Sequence, residues 1–196
     1  MTARKGGVER NTGETAIALS LNLDGEGNGG LETPVPFLTH MLDLFRKHGQ
    51  FDLDVKASGD TEVDDHHSTE DIGICLGVAL KEALGNKEGI RRYGDAFVPM
   101  DDALAHVVID LSNRPHLEWR VELPQAKVGQ FDTELVREFL AKLAIEARMN
   151  VHVNVQYGWN THHIIEAIFK ALGRALREAV SLDPRVKGIP STKGML

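Results

Sequence analysis

Two short stretches of this chain carry ligand chemistry. His66-His67-Ser68-Thr69-Glu70 and His162-His163-Ile164-Ile165-Glu166 repeat the same donors at the same spacing. On a helix, residues i and i+4 share a face, whereas i and i+1 diverge by about 100°. His66 and Glu70 can therefore grip one cation together, and so can His162 and Glu166. His67 and His163 point elsewhere and need a different ion. Imidazole with carboxylate suits Mn, Fe, Co, Ni or Zn and does not resemble an all-oxygen calcium site. A single histidine pair would be explained by a helix cap or a solvated face. A pair repeated with its glutamate is not, because the carboxylate has to land in register twice.

The repeat runs on beyond the ligands, at an offset of 96 residues. Leu76, Gly77, Ala79, Leu80, Glu82 and Ala83 recur as Leu172, Gly173, Ala175, Leu176, Glu178 and Ala179. One such period in 196 residues marks a duplicated half-domain rather than a solenoid. We expect a first half over 1–90 and a second over 91–196 that includes the C-terminal tail. If a pseudo-twofold relates the halves, two metal sites follow. One takes His66, Glu70 and His163. The other takes His162, Glu166 and His67.

The elements that must hold these residues are legible from periodicity. Thr15 to Leu23 alternates and reads as a strand. Asp24 to Gly30 reads as a turn, since no Gly-Lys-Ser/Thr follows and no helix opens there. Phe37 to Lys47 has helical spacing, and Phe51 to Val55 alternates again. The cassette at His66 opens a second helix that ends over Gly85 to Gly89. In the second half, Ala105 to Leu111, Leu117 to Val121 and Val151 to Val155 read as strands. Asp132 suggests an N-cap for a helix reaching about Ala147. His162 to Val180 reads as the last long helix, and an irregular tail follows. The fold class is α+β: two duplicated half-domains, each a small β-sheet with two helices packed on one face.

Bulk properties narrow the function. A net charge of -7 argues against a general nucleic-acid partner, which needs a basic field. It leaves room for an anionic small substrate held by a local Lys/Arg cluster. The single cysteine, Cys75, allows no intrachain disulfide and fits a reducing cytoplasm. The N-terminus lacks the apolar stretch of a signal peptide, and no apolar run is long enough for a membrane span. His152 alternates with Val151 and Val153 on the non-core side of its strand. His48 lies near enough to His40 in sequence to line one cleft with it.

With these residues in view, the chain resembles the imidazoleglycerol-phosphate dehydratases, enzymes of histidine biosynthesis. The matching stretches are RNTGET at 10–15, FLTHML at 37–42, DDHHSTED at 64–71, GIRRYG at 89–94, PMDDAL at 99–104, DLSNRP at 110–115, NTHHIIEAIFKALGRAL at 160–176 and PSTKG at 190–194. They span nearly the whole chain in the family's order. The resemblance implies a hydro-lyase that converts imidazole glycerol phosphate to imidazole acetol phosphate. It implies two Mn(II) ions per active site and adds His40 to the site of His67, His162 and Glu166. It implies a large homo-oligomer, a hollow twenty-four-subunit shell, with active sites between subunits. Arg92, Arg114, Ser191 and Lys193 match residues that hold the substrate phosphate. Lys170 matches a further active-site residue, and Glu14 a carboxylate placed to move protons. The chain departs from the pattern at one point. Many family members carry histidine 24 residues before the position of His162, where this chain has Glu138. A carboxylate is a harder ligand than imidazole and competent for Mn(II). We assign Glu138 to the ion of His66, Glu70 and His163.

Two rival functions share some of these features. Duplicated Glu/His pairs also build dinuclear oxidase and hydrolase bundles, although those lack strands and a phosphate-binding tail. A metal-assembled shell without catalysis is the other.

Overall fold

The computed structural model describes residues 4–196. The first half supplies β1 (Lys5–Asn11), β2 (Thr15–Asn22), β3 (Leu31–Glu32), α1 (Pro36–Gly49), β4 (Asp52–Gly59) and α2 (His66–Leu84). The second supplies β5 (Tyr93–Met100), β6 (Ala103–Asp110), β7 (His116–Arg120), β8 (Lys127–Val128), β9 (Phe131–Asp132), α3 (Leu135–Glu146), β10 (Asn150–Tyr157) and α4 (Thr161–Val180). The two main sheets run β1-β2-β4-β3 and β5-β6-β10-β7. Each is a hairpin, then an antiparallel strand, then a parallel edge strand. In these two sheets the duplication read from the helices is matched; β8 and β9 pair with each other and have no counterpart in the first half.

Alternation explains the sheets. Ile17, Leu19 and Leu21 of β2 and Val151 and Val153 of β10 turn into the core, while their neighbours face outward. α2 buries the expected stripe of Ile72, Cys75, Leu76, Ala79, Leu80 and Ala83. α2 lies on β1 and β2, and α4 on β5 and β6. The other two helices cross between halves. α1 packs on α4, and α3 packs on α2. The repeated glycines make this possible. A Cβ at Gly173 would meet the Phe45 carbonyl oxygen at 2.5 Å, and one at Gly77 would meet Glu146 Cβ at 2.6 Å. Only a hydrogen side chain lets each pair approach this closely. So the helices of each half cover their own sheet and also reach into the other half.

Some elements differ from expectation. β1 was not anticipated, because Lys-Gly-Gly-Val-Glu-Arg-Asn carries one apolar side chain and no alternation. β5 was missed too, since Tyr93 and Phe97 face outward opposite Ala96 and Val98. The third helix begins at Leu135, not at a cap on Asp132. Asp132 belongs to β9, where its carboxylate takes Lys127 Nζ at 2.7 Å. Among the described residues, no helix is long and apolar enough to cross a membrane.

Candidate metal centres and anion pocket

Asn160 fixes the start of α4. Its side chain accepts from the backbone N–H groups of His162 and His163, at 3.0 and 3.3 Å. From there the helical period sets His162, Glu166 and Lys170 on one face. α1 crosses this face and delivers His40. His162 Nε2 and His40 Nε2 lie 3.3 and 3.5 Å from Glu166 Oε2. On the other side, His66 Nε2 lies 3.1 Å from Glu70 Oε2, and α3 delivers Glu138. In each trio one ligand atom per residue falls within 4.8 Å of the others. Both clusters are hybrids: a cassette from one half and a third donor from the other. The periodicity placed the cassettes, and the resemblance placed His40 and Glu138.

Each cassette glutamate is also held by an ammonium. Lys170 Nζ lies 2.6 Å from Glu166 Oε1. Lys142 Nζ lies 2.9 Å from Glu70 Oε1 and 3.2 Å from Glu138 Oε1. In both clusters the lysine takes Oε1 and leaves Oε2 to the imidazoles. Lys170 sits on the cassette helix, whereas Lys142 sits on the crossing helix. The repeat positions of these lysines hold Ile74 and Leu44, so repeat reading could not find Lys142. The Lys142 contact, with smaller help from His66, holds the Glu70 carboxyl below its usual range. Burial pushes Glu166 up, but Lys170 and His40 outweigh it and the net shift is downward.

His67 and His163 stand apart from both trios within the chain. His67 Nδ1 lies 3.0 Å from Asp60, and its Nε2 lies 3.7 Å from Glu14. His163 Nδ1 lies 2.6 Å from Asp102, and its Nε2 lies 3.8 Å from Asp101. Glu14 sits in the turn between β1 and β2, and Asp101 in the matching turn between β5 and β6. Asp60 raises the proton affinity of His67, with a smaller contribution from Glu14. The backbone N–H groups of Asn160 and Trp159, then His163, hold Asp102 far below the usual carboxylate range. A carboxylate on one ring nitrogen fixes the tautomer and aims the other nitrogen outward, the habit of metal-bound imidazoles. Asp60, Asp101 and Asp102 were missed by sequence reasoning; the hairpin turn between β5 and β6 holds the last two, whereas Asp60 follows β4 on the way to α2.

Arg92, Arg114, Ser191 and Lys193 come together around a cavity of about 1030 Å³ that Ser112 and Pro190 also line. Arg92 is already engaged. Its guanidinium grips Asp110 at 2.7 and 3.2 Å and donates to the Pro190 carbonyl at 3.0 Å, which ties the tail to the pocket. Arg114 is two-thirds exposed, its nearest carboxylate being Asp110 at 4.0 Å. Lys170 lies with the metal cluster and not here. His48 lines a pocket with Arg91, Asp95, Arg174 and Arg177, and it also feels the charges of Lys170 and Glu166. His152 is exposed on the outer side of β10, as its alternation indicated.

A model of the imidazoleglycerol-phosphate dehydratase family matches residues 33–176. The chain belongs to this family. Curated imidazoleglycerol-phosphate dehydratases of Geobacillus kaustophilus and Bacillus subtilis are 74% and 71% identical, over 99% and 98% of this chain and 100% of each relative. The solved structure of the dehydratase from Staphylococcus aureus aligns with a TM-score of 0.84 at 43% identity, covering 91% of this chain and 99% of that one. The Pyrococcus furiosus enzyme gives 0.84 at 40%, covering 96% and 100%. The chain is thus a hydro-lyase of histidine biosynthesis that takes a small phosphorylated substrate. The oxidase, hydrolase and inert-shell alternatives fall with this membership.

Proposed function

We propose that this dehydratase converts imidazole glycerol phosphate to imidazole acetol phosphate in the cytoplasm, with two Mn(II) ions per active site. The observation that carries the reading is the pair of hybrid donor trios, each with imidazole, carboxylate and an outward-aimed partner histidine elsewhere. The residues fit such ions: nitrogen and carboxylate oxygen in threes, drawn within 4.8 Å of one another. His66, Glu70 and Glu138 would hold one ion, and His40, His162 and Glu166 the other. His163 and His67 would complete them from neighbouring subunits, since neither reaches a trio of its own chain. This supports active sites between subunits; the twenty-four-subunit shell is what the family resemblance implies.

The reaction must remove a carbon-bound hydrogen with no carbonyl beside it. The imidazole ring is then the electron sink, and bound cations supply the positive charge that stabilises its anion. Loss of the ring N–H proton and the neighbouring hydroxyl, together as water, would leave a diazafulvene. Glu14 would take the carbon proton while the ring nitrogen regains one, and the resulting enol tautomerises to the ketone. Arg114, Ser191 and Lys193 hold the phosphate as an orientation handle, with Arg92 bracing the tail. Lys142 and Lys170 favour the ionised forms of Glu70 and Glu166. Turnover of imidazole glycerol phosphate by metal-stripped protein, with and without added Mn(II), tests the whole reading. Full activity in rigorously metal-free protein sinks it.

A further inference from the structure

Lys87 is 5% exposed, yet it carries an ammonium. Its single hydrogen-bond acceptor is the Leu111 carbonyl oxygen, at 3.1 Å. Among the described residues no carboxylate reaches it within ion-pair distance. Its backbone lies in the left-handed region, at φ 62°, which is uncommon for a residue with a side chain. Burying an ammonium with so little compensation is costly. Nothing in the metal clusters uses it.

The surroundings show what it faces. Asp110 closes β6 and Leu111 follows it, Arg92 precedes β5, Arg148 follows α3, and Lys81 comes from α2. Asp110 is the only acid among them, and Arg92 already grips both its oxygens. Leu111 opens the segment Ser112-Asn113-Arg114, which lines the anion pocket. The same segment is held from its other side. Arg148 donates to Asn113 Oδ1 and to the Asn113 carbonyl, at 3.1 and 2.9 Å, and the Asn150 side chain donates to the Arg114 carbonyl. The Leu111 N–H donates to the Arg92 carbonyl at 3.1 Å, which couples the two arginine-bearing segments.

We propose that Lys87 is a positioning residue for the anion pocket, pinning the arm that carries Arg114 and placing a buried positive charge behind the bound phosphate. The inference rests on the pocket being the phosphate site. It explains why a lysine is kept where an apolar side chain would pack at less cost. Arg92 is neutralised by Asp110, so the pocket's charge surplus comes from Arg114, Lys193 and the ammonium behind them. Burial, with Arg148 next, pushes the Lys87 ammonium down to about 8. A phosphate dianion favours the protonated amine, and by reciprocity the protonated amine favours the dianion.

The test is calorimetric titration of the metal-loaded, assembled enzyme with inorganic phosphate across the alkaline range. The parent protein is expected to lose affinity as pH rises through about 8. Lys87→Met is expected to bind about tenfold more weakly at neutral pH and to lack that alkaline loss. With substrate it raises KM and spares kcat. Lys87→Arg retains the charge and is expected to hold its affinity at both ends of the range. Arg114→Ala and Lys193→Ala separate the two readings. If they weaken phosphate binding and Lys87→Met does not, the role of Lys87 falls alone. If neither weakens it, the pocket is not the phosphate site and both readings fall. Should Lys87→Met not fold, Lys87→Arg decides: an alkaline loss of affinity as steep as the parent's overturns the proposal.

Discussion

The Glu14 carboxylate and His67 Nε2 stand 3.7 Å apart, although one lies in a hairpin turn and the other on a helix. The fold thus sets a carboxylate beside the ring nitrogen that Asp60 leaves free. Glu14→Gln is therefore expected to lower kcat by about 10²- to 10⁴-fold, the range for a lost general base, and to leave KM nearly unchanged. Steady-state kinetics on the metal-loaded variant check this. Unchanged turnover would remove Glu14 from the mechanism.

Glu138 is one of only three donors in its trio. Glu138→Ala should weaken that metal site by at least about 10-fold, a scale reached even by outer-shell partners, and spare the site of His40, His162 and Glu166. Glu138→His should retain much of the activity, since imidazole is also competent. Titration with Mn(II) resolves the two sites. Two equally tight sites in Glu138→Ala would make Glu138 a bystander.

Lys193 touches no carboxylate among the described residues and lines the anion pocket. Lys193→Ala should cost about 1.5–3 kcal/mol of substrate binding, the worth of a charge-assisted contact. The effect belongs in KM. A variant whose loss falls entirely on kcat would place Lys193 at the reacting atoms instead.

His67 and His163 cannot reach the trios of their own chain, so metal loading and association should be linked. Chelation is expected to shift the particle to smaller oligomers, and Mn(II) to restore them. Light scattering that records one mass throughout would count against ligands shared between subunits.

Lys87 gives stability a pH dependence whose sign is fixed. Its folded-state value is about 8, against roughly 10.4 for an unfolded lysine. Between these values the unfolded chain binds more protons, so stability rises with pH. Below about 8 both states are protonated and the cost of burial is fully present; above roughly 10.4 it is gone. The melting temperature of the parent, relative to Lys87→Met, should therefore climb over this window. Parallel profiles for the two proteins would show that Lys87 is not titrating there.

The sequence by itself determined the duplication, the two ligand cassettes and the long helices that carry them. Those signals are local: an i, i+4 pair and an apolar stripe need only the helical period to be read. The matching motifs of Glu14, His40 and the PSTKG tail were legible through the family pattern. The tertiary structure decided what crosses between halves. His40 meets Glu166, and Glu138 meets Glu70, because α1 packs on α4 and α3 on α2. No periodicity encodes which helix a glycine face will receive. The same holds for Lys142, which replaces a cassette-helix lysine from the opposite helix. It holds as well for Asp102, which meets His163 across 61 residues of chain. β1 and β5 were hidden for a related reason. A sheet's first strand is stabilised by pairing with its neighbour and by close contact with a helix, and neither leaves a pattern within the strand itself.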